Sequence, residues 1–136
     1  MPSKITKPVS EMVAEANRLV QSLSGEEARR MLGQEDVVFV DLRDPREVKR
    51  EGGIPGAFHC PRGMLEFWID PASPYAKPVF QEDRSFVFYC ASGWRSALAT
   101  RTAQEMGLAP VAHIRGGFHA WKEAGGPVAI PEPKAS

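Results

Sequence analysis

Hydrophobic and polar residues follow two different patterns along this chain. Short apolar runs rich in β-branched and aromatic residues are typical of buried strands. Between these runs, apolar residues recur every three or four positions, which predicts helices with one buried face. Strands that alternate with helices favour a parallel sheet with helices on both faces, an α/β fold. The predicted strands are residues 37–41, 57–60, 85–90 and 111–114.

Capping signals mark where two of the helices begin. Ser24 is followed three residues later by Glu27, which is a capping box. Asp44 is followed by Pro45 and Glu47, the pattern of an N-cap with proline in the first turn. The predicted helices are residues 10–23, 24–32, 44–51, a turn or two within 62–70, 98–106 and 116–126.

The length of the chain limits the number of domains. A chain of 136 residues has enough core for one domain and too little for two. We expect an N-terminal extension with an amphipathic helix at residues 1–23, one α/β domain at 24–128 and a flexible tail at 129–136. The apolar face of the first helix needs a cover. It docks on its own domain or, alternatively, on a second subunit or a protein partner.

Composition excludes several classes of partner. Lys and Arg together number 17, and so do Asp and Glu. Because a neutral chain has no bulk field that attracts polyanions, we expect no nucleic-acid and no membrane partner. The N-terminal residues lack the apolar core of a signal peptide, and no apolar run is long enough to span a membrane. We therefore expect a soluble, cytoplasmic protein.

The chain has two cysteines, Cys60 and Cys90. They are too few for a disulfide framework, and the histidines show no metal-ligand spacing, so we expect no metal. Cys60 is interpreted as a buried hydrophobe. The alternative is that it takes part in a reaction at Cys90 by forming a disulfide with that residue. Cys90 could also be a buried packing residue, but the residues around it favour a catalytic role.

Cys90 is the first residue after a predicted strand, and a turn that opens into a helix follows it. In parallel sheets, ligands bind outside the carboxyl ends of the strands. The amides at the start of the helix have no helical partners and can converge on an anion. Gly93 permits the backbone to turn, and Arg95 adds a guanidinium that pairs with oxyanions. This field also favours the thiolate, the nucleophilic form of cysteine.

Three segments together resemble the rhodanese-like sulfurtransferase family. "CASGWR", residues 90–95, is similar to the family's active loop C-x-x-G-x-R. "DLRDPREVKREGGIPGA", residues 41–57, is similar to the family's D-x-R…E…G-x-I-P-G-A segment. "IRGGFHAWKEAGGPV", residues 114–128, is similar to the closing G-G-x-x-x-W-x-x-A-G-x-P-V. One departure is Gly53, where the family often has a structural histidine.

The resemblance implies a doubly wound, mostly parallel five-stranded sheet and a double-displacement reaction. Cys90 would take a sulfane sulfur from thiosulfate or a persulfide, and pass it to cyanide or a thiol. Arg95 would bind the sulfonate of the donor, and no cofactor is required. The expected substrate-binding residues are the loop that holds the sulfur and one further arginine: Ala91, Ser92, Gly93, Trp94, Arg95, Ser96 and Arg62.

Two other functions stay open at this point. Phosphatases and arsenate reductases related to the family have a loop one residue longer, whereas four residues separate Cys90 from Arg95 here. The second alternative is a sulfur-relay or sensory module that acts with a protein partner, with a homodimer as a further option. Asp41 and Arg43 end the first predicted strand, and we interpret them as an internal ion pair that shapes the next loop.

Overall fold

The computed structural model describes residues 1–130 and has a five-stranded parallel sheet at its centre. The strands lie in the order β1-β5-β4-β2-β3, and every neighbouring pair is parallel. The expected α/β fold with a mostly parallel five-stranded sheet is therefore confirmed. The strands are β1 Gln21–Leu23, β2 Val37–Asp41, β3 Phe58–His59, β4 Ser85–Tyr89 and β5 Val111–Ile114.

Within residues 1–130, six α-helices precede, connect and follow the strands. Both predicted capping boxes are present, at Ser24 with Glu27 and at Asp44 with Glu47. Short 3₁₀ turns at Arg62–Met64 and Pro78–Gln81 precede α4 and β4. The α-helices are α1 Val9–Leu19, α2 Gly25–Arg30, α3 Pro45–Glu51, α4 Leu65–Ile69, α5 Trp94–Met106 and α6 Gly117–Glu123.

The sheet is buried on both faces because its strands carry apolar residues at consecutive positions. In β4, Phe86 and Phe88 join a core cluster with Ala99 and Ala103 of α5. The alternate residues Val87 and Tyr89 join a second cluster, whose other members include Ala28 of α2 and Phe118 and Trp121 of α6. Helices therefore cover both faces, as the continuous apolar strands predict.

The first helix is shorter than the prediction, which is wrong at its C-terminal end. The helix ends at Leu19, and the extended backbone of Val20 leads into β1, which pairs with β5. Helical periodicity included Val20 and Leu23 because apolar residues three apart fit a helix, but Leu23 instead packs in the core under the sheet. An edge strand of three residues is too short to show its own alternation.

Helix α1 docks on its own domain, as the first of the two alternatives expected. Its buried residues Val13 and Ala16 pack against Ala97 and Leu98 of α5. This contact places the C-terminal turn of α1 beside the end of β5. The division of the chain at residue 24 stays a prediction.

The C-terminal segment lies against the loop after α3. Gly53 and Ala129 exchange two backbone hydrogen bonds of 2.9 Å. The expected flexible tail falls mostly on residues 131–136, which lie outside the described residues. Within residues 1–130, no helix is both long and apolar enough to cross a membrane.

Candidate active site

Cys90 lies at the carboxyl edge of the sheet, directly after β4 and before α5. The residue is 1% exposed. Its carbonyl accepts a hydrogen bond of 2.8 Å from the amide of Phe118, and the carbonyl of Ala91 accepts one of 3.2 Å from His119. A Cβ on Gly117 would lie 2.5 Å from the Cys90 carbonyl oxygen, so the first turn of α6 packs directly on the loop. The start of α6 therefore holds the cysteine in place.

The sulfur of Cys90 accepts hydrogen bonds from two backbone amides. The amide of Gly93 lies 3.1 Å from Sγ and that of Ser96 lies 3.4 Å from it. Gly93 has φ 104°, a left-handed conformation that residues with a side chain rarely adopt. Of the loop amides expected to contact the sulfur, those of Gly93 and Ser96 do so within the described residues. Both favour negative charge on Sγ.

Arg95 forms a bidentate ion pair with Glu47 of α3. The pair joins Nη1 to Oε1 at 2.7 Å and Nη2 to Oε2 at 2.9 Å. Hydrogen bonds from Arg95 lower the pKa of Glu47 to about 2. Because the folded pKa lies below the ordinary value, the pair stabilises the fold above pH 4.5 and this contribution is lost as the pH falls toward 2. The predicted anion clamp is thus also a brace between the loop and α3.

A buried polar chain leads away from the sulfur. The Ser96 hydroxyl lies 3.6 Å from Cys90 Sγ and 2.9 Å from Nδ1 of His113 in β5. Nε2 of His113 lies 2.8 Å from Oδ1 of Asn17 in α1. Burial, together with the charge of Arg115, lowers the pKa of His113 to about 4, so the imidazole is neutral near pH 7.

Sequence reasoning missed Glu47, His113 and Asn17 as parts of this site. Glu47 was explained by its capping role, which it also fulfils, with Oε1 3.4 Å from the amide of Asp44. His113 has no local motif because its partners lie far from it along the chain. A polar residue inside the apolar strand "VAHI" was the available signal.

The remaining candidate residues lie at different distances from the loop. Trp94 is 51% exposed at the start of α5, beside the loop. Arg62 instead pairs with Glu66 at 2.8 Å and lines a cavity of about 620 Å³ between α1 and α5. A separate cavity of about 180 Å³ opens beside Ala91, and charged residues of both signs from α3 and α6 line it. Trp94 therefore lies beside the Cys90 loop, whereas Arg62 is paired with Glu66 at the cavity between α1 and α5.

Cys60 is a core residue. It is fully buried in the cluster on the α5 face of the sheet, and burial raises the pKa of its thiol to about 12. A thiol in this state is neither a nucleophile nor an effective disulfide partner at neutral pH. The interpretation of Cys60 as a buried hydrophobe is confirmed.

Asp41 and Arg43 form the internal ion pair that the sequence predicted. Nε and Nη2 of Arg43 donate to Asp41 at 3.0 and 2.7 Å, and Nη2 also donates to the carbonyl of Gly52. The Tyr89 hydroxyl donates to Asp41 at 2.9 Å. A Cβ on Gly53 would lie 3.1 to 3.3 Å from polar atoms of these three side chains. This cluster leaves little room for the histidine that the family often carries at that position.

Sequence comparisons match most of this chain to known proteins. A sequence model described as the Rhodanese-like domain matches residues 24–124. A sulfurtransferase from Allochromatium vinosum is 34% identical over 105 residues, covering 77% of this chain and 90% of that protein. A thiosulfate:glutathione sulfurtransferase from Saccharomyces cerevisiae is 32% identical over 114 residues, covering 79% of this chain and 81% of that protein.

Among solved structures, a protein of unknown function from Rhodopseudomonas palustris is 61% identical to this chain. The two superpose with a TM-score of 0.91 over 95% of this chain and 99% of that one. That protein is described as a possible tyrosine phosphatase. The matches thus agree on the fold and carry two different activities in their names.

Proposed function

The chain belongs to the Rhodanese-like domain family of sulfurtransferases, and we propose that it transfers a sulfane sulfur through a persulfide on Cys90. The observation that carries this proposal is the pair of amides, from Gly93 and Ser96, that donate to the Cys90 sulfur. An amide cradle holds negative charge on the attacking thiolate and on the outer sulfur of a persulfide. The proposed reaction needs no metal or organic cofactor.

The proposed reaction has two displacement steps. First, the Cys90 thiolate attacks the outer sulfur of the donor. The new S–S bond forms as the donor's bond to that sulfur breaks, and the leaving group, sulfite or a thiolate, takes the electron pair. An acceptor such as cyanide or a thiol then attacks the outer sulfur of the persulfide, and Cys90 leaves as the thiolate.

Two donors fit this site, thiosulfate and a small persulfide. A guanidinium has five N–H donors, and the pair with Glu47 uses two of the five on Arg95. The others can bind a sulfonate oxygen of thiosulfate. The Glu47 carboxylate, however, offsets part of the attraction for a dianion, and this favours a persulfide donor of lower charge.

The rival phosphatase function has support from one name, that of the Rhodopseudomonas palustris protein. Four residues separate Cys90 from Arg95, one fewer than in the loops of related phosphatases. A tighter ring of amides suits a single sulfur atom better than a tetrahedral phosphate.

A paired assay tests the proposed function. We expect the purified protein to form thiocyanate from cyanide with thiosulfate or glutathione persulfide as the donor, and to leave p-nitrophenyl phosphate intact. Hydrolysis of the aryl phosphate without any transfer of sulfur would contradict the proposal. Slow thiocyanate formation with a stable persulfide would instead favour a sulfur-relay module that acts with a protein acceptor.

A matched pair of variants tests the role of Arg95. Arg95→Ala removes both the brace and the anion donors, whereas Glu47→Gln weakens the brace and keeps the guanidinium. If Arg95 binds the sulfonate, Arg95→Ala lowers kcat/KM for thiosulfate by about tenfold more than Glu47→Gln does. Equal losses in the two variants, measured by steady-state kinetics, would show that Arg95 only shapes the loop.

The sequence also predicts a cytoplasmic location and permits a homodimer. Both remain proposals, as does a substrate contact by Arg62. Gel filtration with light scattering measures the oligomeric state directly.

A further inference from the structure

The polar chain behind Cys90 connects its sulfur to the surface at the end of α1. Cys90 and His113 are each 1% exposed, whereas Asn17 is exposed. The successive contacts are Cys90 Sγ to Ser96 Oγ at 3.6 Å, Oγ to His113 Nδ1 at 2.9 Å, and Nε2 to Asn17 Oδ1 at 2.8 Å. The hydroxyl of Ser22 lies 3.3 Å from the same Nε2.

The directions of these hydrogen bonds follow from the acceptor at the outer end. Because the amide oxygen of Asn17 accepts, the imidazole carries its proton on Nε2 and Nδ1 is an acceptor. The Ser96 hydroxyl donates to Nδ1 at 2.9 Å, which is nearer than its other acceptor, the Gly93 carbonyl at 3.3 Å. The lone pairs of Ser96 Oγ then face the sulfur, where they accept the thiol proton of Cys90. Each group donates outward, from the buried thiol to the surface.

We propose that Ser96, His113 and Asn17 form a proton path through which the Cys90 thiol ionises, and that the hydrogen bonds of this path set the pH at which it does so. This inference rests on the proposed function of Cys90 as the nucleophile. In the step, the thiol proton moves to Ser96 Oγ, the former Ser96 proton moves to Nδ1, and the Nε2 proton leaves to water beside Asn17. One proton is released and no covalent bond between heavier atoms changes.

The state that results stabilises the thiolate. Ser96 now donates to the sulfur, Nδ1 donates to Ser96, and Nε2 accepts from the Ser22 hydroxyl. His113 is neutral before and after the step, in agreement with the low pKa that burial gives it. His113 and Asn17 are therefore positioning residues, which act on Cys90 through Ser96.

Charged groups near this path come from other elements. Arg95 interacts with the Cys90 charge from the start of α5 and is paired with Glu47 of α3. Arg115, after β5, lowers the pKa of His113. These groups do not differ among the variants at position 113, so a comparison of those variants isolates the hydrogen bonds.

Two isosteric variants separate the inner contact from the outer one. The side-chain amide of asparagine reaches the position of Nδ1, so His113→Asn keeps a partner for Ser96. The amide of glutamine reaches the position of Nε2, so His113→Gln keeps the contact with Asn17 and loses the one with Ser96. The measured quantity is the midpoint of the pH profile of iodoacetamide alkylation at Cys90, read by intact mass.

We expect the midpoint of His113→Gln to rise by about half to one pH unit, and that of His113→Asn to stay close to the wild type. Ser96→Ala should raise it by about one unit or more, and Ser96→Ala combined with His113→Gln should equal Ser96→Ala alone. Additive shifts in the double variant, or equal shifts in both His113 variants, would overturn the proposal.

Asn17 offers a test at an exposed position, where substitution leaves the core intact. The Asn17 oxygen accepts from Nε2 only before the proton leaves, so it stabilises the thiol state. Asn17→Ala should therefore lower the alkylation midpoint, by about half a pH unit at most, whereas the control Gln21→Ala should leave it unchanged. No shift in Asn17→Ala would remove Asn17 from the path. Alkylation needs no sulfur donor, so this test is decided separately from sulfur transfer.

Discussion

Replacement of Cys90 by serine is expected to reduce sulfur transfer by about a thousandfold or more. The serine hydroxyl has nearly the shape of the thiol, so the amides of Gly93 and Ser96 keep their places around it. An alcohol, however, stays protonated at neutral pH, and its oxygen cannot hold a sulfane sulfur as a persulfide. The assay is thiocyanate formation from thiosulfate or glutathione persulfide.

The second cysteine provides the matched control for this prediction. Cys60 is fully buried in the core, and burial raises the pKa of its thiol to about 12. Cys60→Ala is therefore expected to keep its transfer activity per folded molecule, at some cost in stability. If Cys60→Ala loses activity and Cys90→Ser keeps it, the assignment of the nucleophile is wrong.

Asp41→Asn is expected to lower the free energy of unfolding by about 3–5 kcal/mol. The Asp41 carboxylate is the acceptor for the buried Arg43 guanidinium and for the Tyr89 hydroxyl. Without the negative charge, the Arg43 guanidinium remains buried beside Phe118, with its charge uncompensated. The free energy of unfolding of a typical domain is about 5–15 kcal/mol, so this variant loses a large part of its stability.

Urea unfolding followed by tryptophan fluorescence measures this loss, because Trp121 is fully buried. Glu26→Gln is the control, since it breaks an exposed ion pair with Arg30. The control should change the unfolding free energy by less than about 1 kcal/mol. A similarly small change in Asp41→Asn would mean that water reaches Arg43 once the charge is gone.

Much of the fold could be predicted from the sequence because its signals are local. The capping boxes at Ser24 and Asp44 and the apolar runs of β2 and β4 depend on neighbours within a few residues. Strand β1 was missed because its three residues pair with β5, some ninety positions away, and only that pairing makes them a strand. Local periodicity instead extended the helix through them.

The site divides in the same way. The six residues after β4 predict an anion-binding turn, because strand, turn and helix follow one another directly in the chain. The partners that act on this turn come from α3, β5 and α1, and no spacing rule connects Glu47, His113 or Asn17 to Cys90. Their roles depend on tertiary packing, which the order of residues does not show.

The measurement that tests the central claim most directly is the mass of the Cys90 peptide after the protein reacts with a sulfane-sulfur donor. The protein is treated with thiosulfate or glutathione persulfide, freed of donor, alkylated and digested. The account predicts one added sulfur atom on the peptide that contains Cys90, lost again on treatment with cyanide. Added sulfur elsewhere, or none on Cys90 with either donor, would contradict it.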